Sequence, residues 1–214
     1  MVGFITKEDL KDWKRLSCLI GWFSAIQFIV VTLIAMLFFP GGYNFSGHYF
    51  SHLGLTQVMG VPNPISRALF VIAGVLAGVG LIPFWIVMTT LFTKPLIARI
   101  ISMIGSICGL ISSPFLMALV IYPGDTYGFE HMISTMIFFL LFAASIFIYS
   151  IAMLFKKDYP KIYPLIGVIF SIVIVMFMYG FFAAINVAMQ KIVVYCFCLW
   201  TAFQGTRVWK EAKH

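Results

Sequence analysis

Two histidines, His48 and His52, lie four residues apart in the segment GHYFSHLG. The chain has only four histidines, and one of these is the final residue, His214. Imidazoles at positions i and i+4 share one face of an α-helix, and this spacing suits the binding of zinc. A helical segment here therefore predicts two ligands of zinc or of another divalent transition metal.

A second group of candidate residues lies in the segment YPGDTYGFEH, which contains Asp125, Glu130 and His131. Asp125 and His131 are candidate metal ligands beside the two earlier histidines. Glu130 is a candidate general base that would act on a metal-bound water, because the metal lowers the pKa of that water toward neutrality. Such a site would suit the hydrolysis of a lipid ester, amide or phosphodiester.

The composition indicates that these residues belong to an integral membrane protein. The chain is 62% hydrophobic and 10% charged, with a mean hydropathy of +1.05. Soluble domains carry about 25% charged residues. The net charge of +7 comes from basic residues that flank apolar segments. Membrane lipids, and not nucleic acid, are therefore the expected partners.

Six apolar segments predict an all-α fold, a polytopic bundle of six transmembrane helices in one domain over residues 1–214. The spans are expected at about residues 16–39, 66–92, 97–122, 131–155, 163–185 and 191–209. The weakest boundary signal is at NVAMQ, residues 186–190, because this joint is short and barely polar. It predicts a tight hairpin, and the alternative is one long bent span.

The distribution of Lys and Arg predicts the orientation of this bundle in the cell membrane. With both termini in the cytoplasm, the opposite side carries only Arg67 and Lys191. The other basic residues then lie on the cytoplasmic side, as the positive-inside rule requires: Lys7, Lys11, Lys14, Arg15, Lys94, Arg99, Lys156, Lys157, Lys161, Arg207, Lys210 and Lys213. The loops of residues 40–65 and 123–130, which carry the candidate metal site, would thus share the extracytoplasmic side.

Small residues predict where the helices approach one another closely. Gly74 and Gly78 form a GxxxG motif in the second span, and Gly105 and Gly109 form another in the third. Glycines at this spacing allow helix backbones to pack closely inside a membrane.

The histidine spacing also has a non-catalytic interpretation. A short segment between glycines need not be helical, and it lacks HExxH because Tyr49, Phe50 and Ser51 separate the histidines. Histidine and tyrosine suit the membrane interface, and Pro-Gly-Asp is typical of a turn. The alternative function is therefore a lipid-binding protein or an accessory subunit, acting beside a membrane-protein partner or a second copy of itself. The sequence leaves open whether the protein is an enzyme.

The segments YNFSGHYFSHLGLTQVMGVPNPISRALFVIAGVLAG and IYPGDTYGFEHMISTMIFF resemble patterns of the membrane family called domain of unknown function 998. The resemblance marks Ser51, Leu53, Gly54, Asp125 and His131 as characteristic positions, and it implies no known activity. Residue 52 departs from the pattern, because relatives commonly carry an acid there, and a histidine suits a His-rich metal site. The six-span outline is also similar to that of Frag1/DRAM-like proteins.

Overall fold

The structure is a computed structural model, and it describes residues 9–157 and 159–212. Within these residues the chain forms six α-helices: α1 (Trp13–Leu37), α2 (Pro64–Met88), α3 (Leu96–Ile121), α4 (Gly128–Phe155), α5 (Ile162–Met178) and α6 (Asn186–Glu211). Short 3₁₀ helices cover Phe50–Gly54, Thr89–Leu91 and Ala183–Ile185. Two short antiparallel strands, β1 (Gln57–Val58) and β2 (Val61–Pro62), form a hairpin.

Five of the helical segments in the described residues are long and apolar enough to cross a membrane. They are Trp13–Leu37, Pro64–Leu91, Leu96–Ile121, Gly128–Phe155 and Ala183–Glu211. The remaining apolar helix, α5, has 17 residues. Large apolar side chains cover the outside of the bundle, as a lipid-facing surface requires. The prediction of a helical, multi-pass membrane protein is confirmed. Two of the lysines used to predict the orientation, Lys7 and Lys213, lie outside the described residues.

Helices α1 to α5 pack in chain order, and α6 returns to lie beside α1. An aromatic cluster joins α2, α4 and α6 in the middle of the bundle. The fully buried indole of Trp85 lies 5.1 Å from the ring of Phe142, 5.8 Å from that of Trp200 and 6.2 Å from that of Tyr149, between ring centroids. Helix α6 therefore contacts α2 and α4 in the interior as well as α1 at its side.

The glycines of both predicted motifs lie at close helix contacts. A methyl group on Gly109 of α3 would overlap the indole of Trp85 in α2, and one on Gly74 of α2 would overlap Val120 in α3. Gly78 makes a comparable contact with Met117, and Gly105 makes a less close one with Tyr149. The absence of a side chain at these positions allows α2, α3 and α4 to pack at short distance.

The turn between α5 and α6 differs from the predicted position. Helix α5 ends at Met178, and Gly180 follows with a φ of +76°. This conformation favours glycine and commonly ends a helix. The segment NVAMQ is not a hairpin, because Asn186 already begins α6. The prediction relied on the polarity of this segment, but glycine geometry determines the turn.

The loops divide between two ends of the bundle. We call the end that carries residues 38–63 and 122–127 the loop face, and the end that carries Asp12 and Ala212 the terminal face. Hydrogen bonds between Asp125 and Thr56 join the two loops of the loop face. The α5–α6 turn lies there too, because Asn186 contacts Tyr49. The loop face thus contains all of the candidate site residues.

The contact of Gly109 with Trp85 gives a test of the helix packing. We expect Gly109→Ala to destabilise the protein by about 1 to 3 kcal/mol, because its methyl group must displace a buried indole. Gly128→Ala is the control, since a methyl group at the start of α4 meets no atom within 4 Å. Thermal unfolding of both variants in detergent measures the effect, and equal melting temperatures for the two would contradict the packing.

Candidate functional site

The two histidines of the first loop lie side by side, with ring centroids 6.0 Å apart. They do not share an α-helix, because the local 3₁₀ helix begins at Phe50, after His48. The prediction that His48 and His52 share one face of an α-helix is therefore wrong. The Nδ1 atom of His48 accepts a hydrogen bond of 3.0 Å from the backbone N–H of Asn44. A neutral His48 then carries its proton on Nε2, so its ring has no free lone pair for a metal.

Asp125 holds the backbone of the neighbouring loop. Its Oδ2 atom accepts hydrogen bonds from the Thr56 backbone N–H at 2.9 Å, the Thr56 hydroxyl at 2.6 Å and the Gln57 backbone N–H at 3.2 Å. Partial burial raises the pKa of Asp125, but the bonds from Thr56 and Gln57 outweigh this effect and the net pKa is lowered. This carboxylate ties the α1–α2 loop to the α3–α4 turn.

His131 binds the end of α3. Its Nδ1 atom lies 2.9 Å from both the Leu119 and the Tyr122 carbonyl oxygens. Carbonyl oxygens only accept hydrogen bonds, so Nδ1 carries the proton and donates to them. The ring thereby satisfies carbonyl groups that the end of a helix leaves without partners. In the neutral ring, Nε2 is the remaining acceptor.

The predicted metal ligands do not form one group. Within residues 9–157 and 159–212, no three His, Cys, Asp or Glu side chains lie close enough together to hold a metal ion. His48 and His52 are neighbours, whereas Asp125 and His131 each bind backbone groups elsewhere on the loop face. Glu130, the predicted base, is exposed in the first turn of α4. Metal binding and catalysis by these residues stay a prediction.

Lys191 of α6 holds the α1–α2 loop, whereas the sequence interpretation used this residue only to assign orientation. Its side chain is fully buried, and its Nζ donates hydrogen bonds to the His48 carbonyl at 2.5 Å and the Val187 carbonyl at 2.9 Å. The rings of Phe45 and Tyr43 lie 5.0 and 5.5 Å from this ammonium group. The sequence feature that could have indicated this contact is a lysine near the end of an apolar span, since a charged residue there needs a polar partner.

Phe50 connects the α1–α2 loop to the interior of the bundle. Its backbone N–H donates a hydrogen bond of 2.6 Å to Oε1 of Gln190 in α6. Its buried ring lies between the rings of Phe28, Phe70 and Tyr195, at centroid distances of 5.8, 5.9 and 5.6 Å. The loop therefore closes this end of the bundle with an aromatic side chain.

Leu53 and Gly54, two of the characteristic positions of the family pattern, also hold this loop in place. Leu53 is fully buried, and its carbonyl accepts hydrogen bonds from the Asn63 amide at 3.2 Å and the Ser66 hydroxyl at 3.3 Å. A Cβ on Gly54 would lie 2.8 Å from the ring of Phe70. Leu53 and Gly54 thus press the loop against the start of α2.

A cavity lies beneath Phe50 and Ser51 and extends into the middle of the bundle. It contains about 720 Å³ of space that no protein atom occupies, part of it open to the outside. Five helices and the 3₁₀ helix of the α1–α2 loop line it with mostly apolar side chains. Seven of them are phenylalanines, namely Phe28, Phe50, Phe70, Phe138, Phe139, Phe142 and Phe197. The described lining residues include no charged side chain.

A helical membrane bundle with an apolar cavity under a closed loop is the class of protein that the fold and site define. The chain belongs to the family described as protein of unknown function DUF998, whose model matches residues 23–206. The family resemblance expected from the two loop segments is thereby confirmed. No curated protein and no solved structure matches this chain.

The contacts of Asp125 predict the effect of removing its carboxylate. We expect Asp125→Ala to increase backbone hydrogen exchange at Thr56 and Gln57 about tenfold or more, because both N–H groups lose a charge-assisted partner. Glu130→Ala is the matched control, since Glu130 is an exposed acid on the same face. Exchange measured by mass spectrometry tests this, and equal rates in wild type and Asp125→Ala would contradict the proposed role.

The environment of His52 predicts a pH dependence of the loop. Burial, followed by the nearby charges of His48 and Lys191, lowers the pKa of His52 below its ordinary value of 6.5. The unfolded loop then binds a proton more readily than the folded loop, so its stability falls as the pH drops below about 6.5. We expect faster hydrogen exchange at residues 48–54 in acid, after correction for the intrinsic rate. The pH effect should shrink in His52→Gln, and an undiminished effect would contradict this assignment.

Proposed function

We propose that this protein binds a membrane lipid in the cavity of its helix bundle, without catalysing a reaction at the loop face. The cavity is the observation that supports this function. Small-molecule sites are mostly apolar and contain a few polar groups, as this cavity does.

The contacts of the α1–α2 loop support the same function. Phe50 and Ser51 form the part of the cavity wall nearest the loop face. Gln190, Lys191 and Asp125 hold this loop by hydrogen bonds from α6 and from the α3–α4 turn. Each of these polar residues thereby has a structural partner, and together they hold the loop over one end of the cavity.

We further propose that all six helices cross the cell membrane and that both termini are cytoplasmic. The 17 residues of α5 extend about 26 Å at the helical rise of 1.5 Å per residue, which is close to the thickness of the hydrocarbon core. The loop face would then be extracytoplasmic, in agreement with the positive-inside rule. Similarity in outline to Frag1/DRAM-like proteins is part of the same proposal.

A metal-dependent lipid hydrolase is the second candidate function. The observation that favours it is the pair of imidazoles, His48 and His52, on the loop face next to the cavity. Zinc or another divalent transition metal would need a third protein ligand beside them. It would also need His48 to release the backbone N–H of Asn44. Catalysis by Glu130 depends on such a rearrangement.

Filling the cavity tests the lipid-binding function. Ala77 lines the cavity from α2, and we expect lipid to copurify with the wild-type protein and to be absent from Ala77→Met. The lipid-free variant should be as stable as wild type or more stable, since filling a cavity commonly adds about 0.5 to 2 kcal/mol. Native mass spectrometry measures the bound lipid, and thermal unfolding measures the stability. Ala68→Met, at an exposed position of the same helix, is the control.

Two results would contradict this function. The first is wild-type protein that carries no lipid after mild extraction, or that loses its lipid equally in Ala77→Met and Ala68→Met. The second is a stoichiometric transition metal, found by elemental mass spectrometry in wild type and absent from His48→Ala and His131→Ala, since it would favour the hydrolase. A stable complex with a partner protein in place of lipid would favour an accessory subunit.

A further inference from the structure

The polar groups of the cavity lie at its two ends. Ser51, Gln190 and Thr135 contribute polar atoms near the loop face, while Ser24 and Thr201 contribute them near the middle of the bundle. The walls between these ends are largely aromatic and aliphatic. A ligand that fills the cavity therefore meets hydrogen-bonding groups at its ends and apolar surface along its length.

The end near the loop face has hydrogen-bonding capacity that the protein does not use. Thr135 donates its hydroxyl proton to the His131 carbonyl at 2.7 Å. Gln190 uses Oε1 to accept the Phe50 N–H, and this bond fixes the orientation of the amide. Within the described segments, the Ser51 hydroxyl and the Gln190 Nε2 group make no hydrogen bond to another residue. Both groups are therefore free to bind the polar head of a ligand.

The charges around this end disfavour an ionised head. The cation closest in sequence to these polar groups, Lys191, directs its ammonium group to the His48 and Val187 carbonyls and is fully buried away from the cavity. A carboxylate or phosphate placed between Ser51 and Gln190 would thus lose its hydration without gaining a cation in direct contact, which costs more than a distant positive charge returns. The site suits an uncharged head that carries a hydroxyl or a carbonyl group.

The dimensions of the cavity favour a single extended chain. Along α6 the lining residues run from Gln190 to Thr201, and along α2 they run from Phe70 to Leu81. Each of these stretches extends about 16 Å at a rise of 1.5 Å per residue. The cavity is therefore elongated along the bundle axis, in the direction in which lipid chains extend.

Resting on the lipid-binding function, we propose that the ligand is a neutral, single-chain amphiphile whose head is bound by Ser51 and Gln190. Its chain extends between the phenylalanines of α4 and α6 toward Thr201. Binding involves no covalent step. Discrimination against anionic lipids follows from the lining of the cavity, which within the described residues includes no charged side chain, and from the pairing of Lys191 with backbone carbonyls.

Three probes with the same chain test this ligand class on the delipidated full-length protein in phosphatidylcholine nanodiscs. They are hexadecanol, hexadecyl sulfate and hexadecane, and native mass spectrometry measures their occupancy. We expect hexadecanol to bind about tenfold or more tightly than hexadecyl sulfate. Ser51→Ala should weaken the binding of hexadecanol about three- to tenfold, the effect of one hydrogen bond, while leaving hexadecane unaffected. Ser46→Ala, at an exposed serine of the same loop, is the matched control.

A second variant separates head binding from the anchoring of the loop. Gln190→Glu keeps an oxygen to accept the Phe50 N–H but replaces the amide with a carboxylate that repels an anion, so we expect it to widen the preference for hexadecanol over hexadecyl sulfate without loosening the loop. Hydrogen exchange at Phe50 measures that anchoring. Equal binding of hexadecanol and hexadecyl sulfate would overturn the proposed ligand class and leave the lipid-binding function in place. Failure of all three probes to bind the wild-type cavity would overturn both.

Discussion

The position of the α1–α2 loop depends on hydrogen bonds to its backbone N–H and carbonyl groups, which lie at the end of an apolar bundle. Irregular backbone near a membrane must satisfy its N–H and carbonyl groups within the protein or in water. Here the His48 carbonyl is bound by Lys191, the Phe50 N–H by Gln190, and the Thr56 N–H by Asp125. These three bonds come from two different parts of the chain, so the loop is correctly placed only when the bundle is complete.

This requirement gives the polar residues at the loop face a structural role. In a membrane protein, a cluster of histidine and acidic side chains is reasonably taken as a reactive site, because such residues are costly there. In this structure Asp125 and His131 hold backbone groups, and His48 accepts a backbone N–H. The same chemistry that suits metal binding, a lone pair or a ring N–H, is used to close loops and helix ends.

The sequence predicted the helices, the close contacts of the GxxxG glycines and the clustering of polar residues at one face. Length and apolarity determine the spans, and the missing side chains at Gly74 and Gly109 leave few alternatives to close packing. Sequence patterns could not predict which backbone group each polar side chain binds, because those partners are distant in the chain. Gln190 and Phe50, for example, are 140 residues apart. The cavity was unpredictable for the same reason, since its lining comes from six separate elements.

The aromatic cluster in the middle of the bundle has an optical consequence. Phe142 lines the cavity, and its ring lies 5.1 Å from the indole of Trp85 and 6.3 Å from that of Trp200. Both indoles are buried, so neighbouring side chains and the contents of the cavity determine the polarity around them. Trp85 and Trp200, two of the five tryptophans of this chain, are therefore natural fluorophores near the inner end of the cavity, and a change in their emission would report a change in its contents without a label.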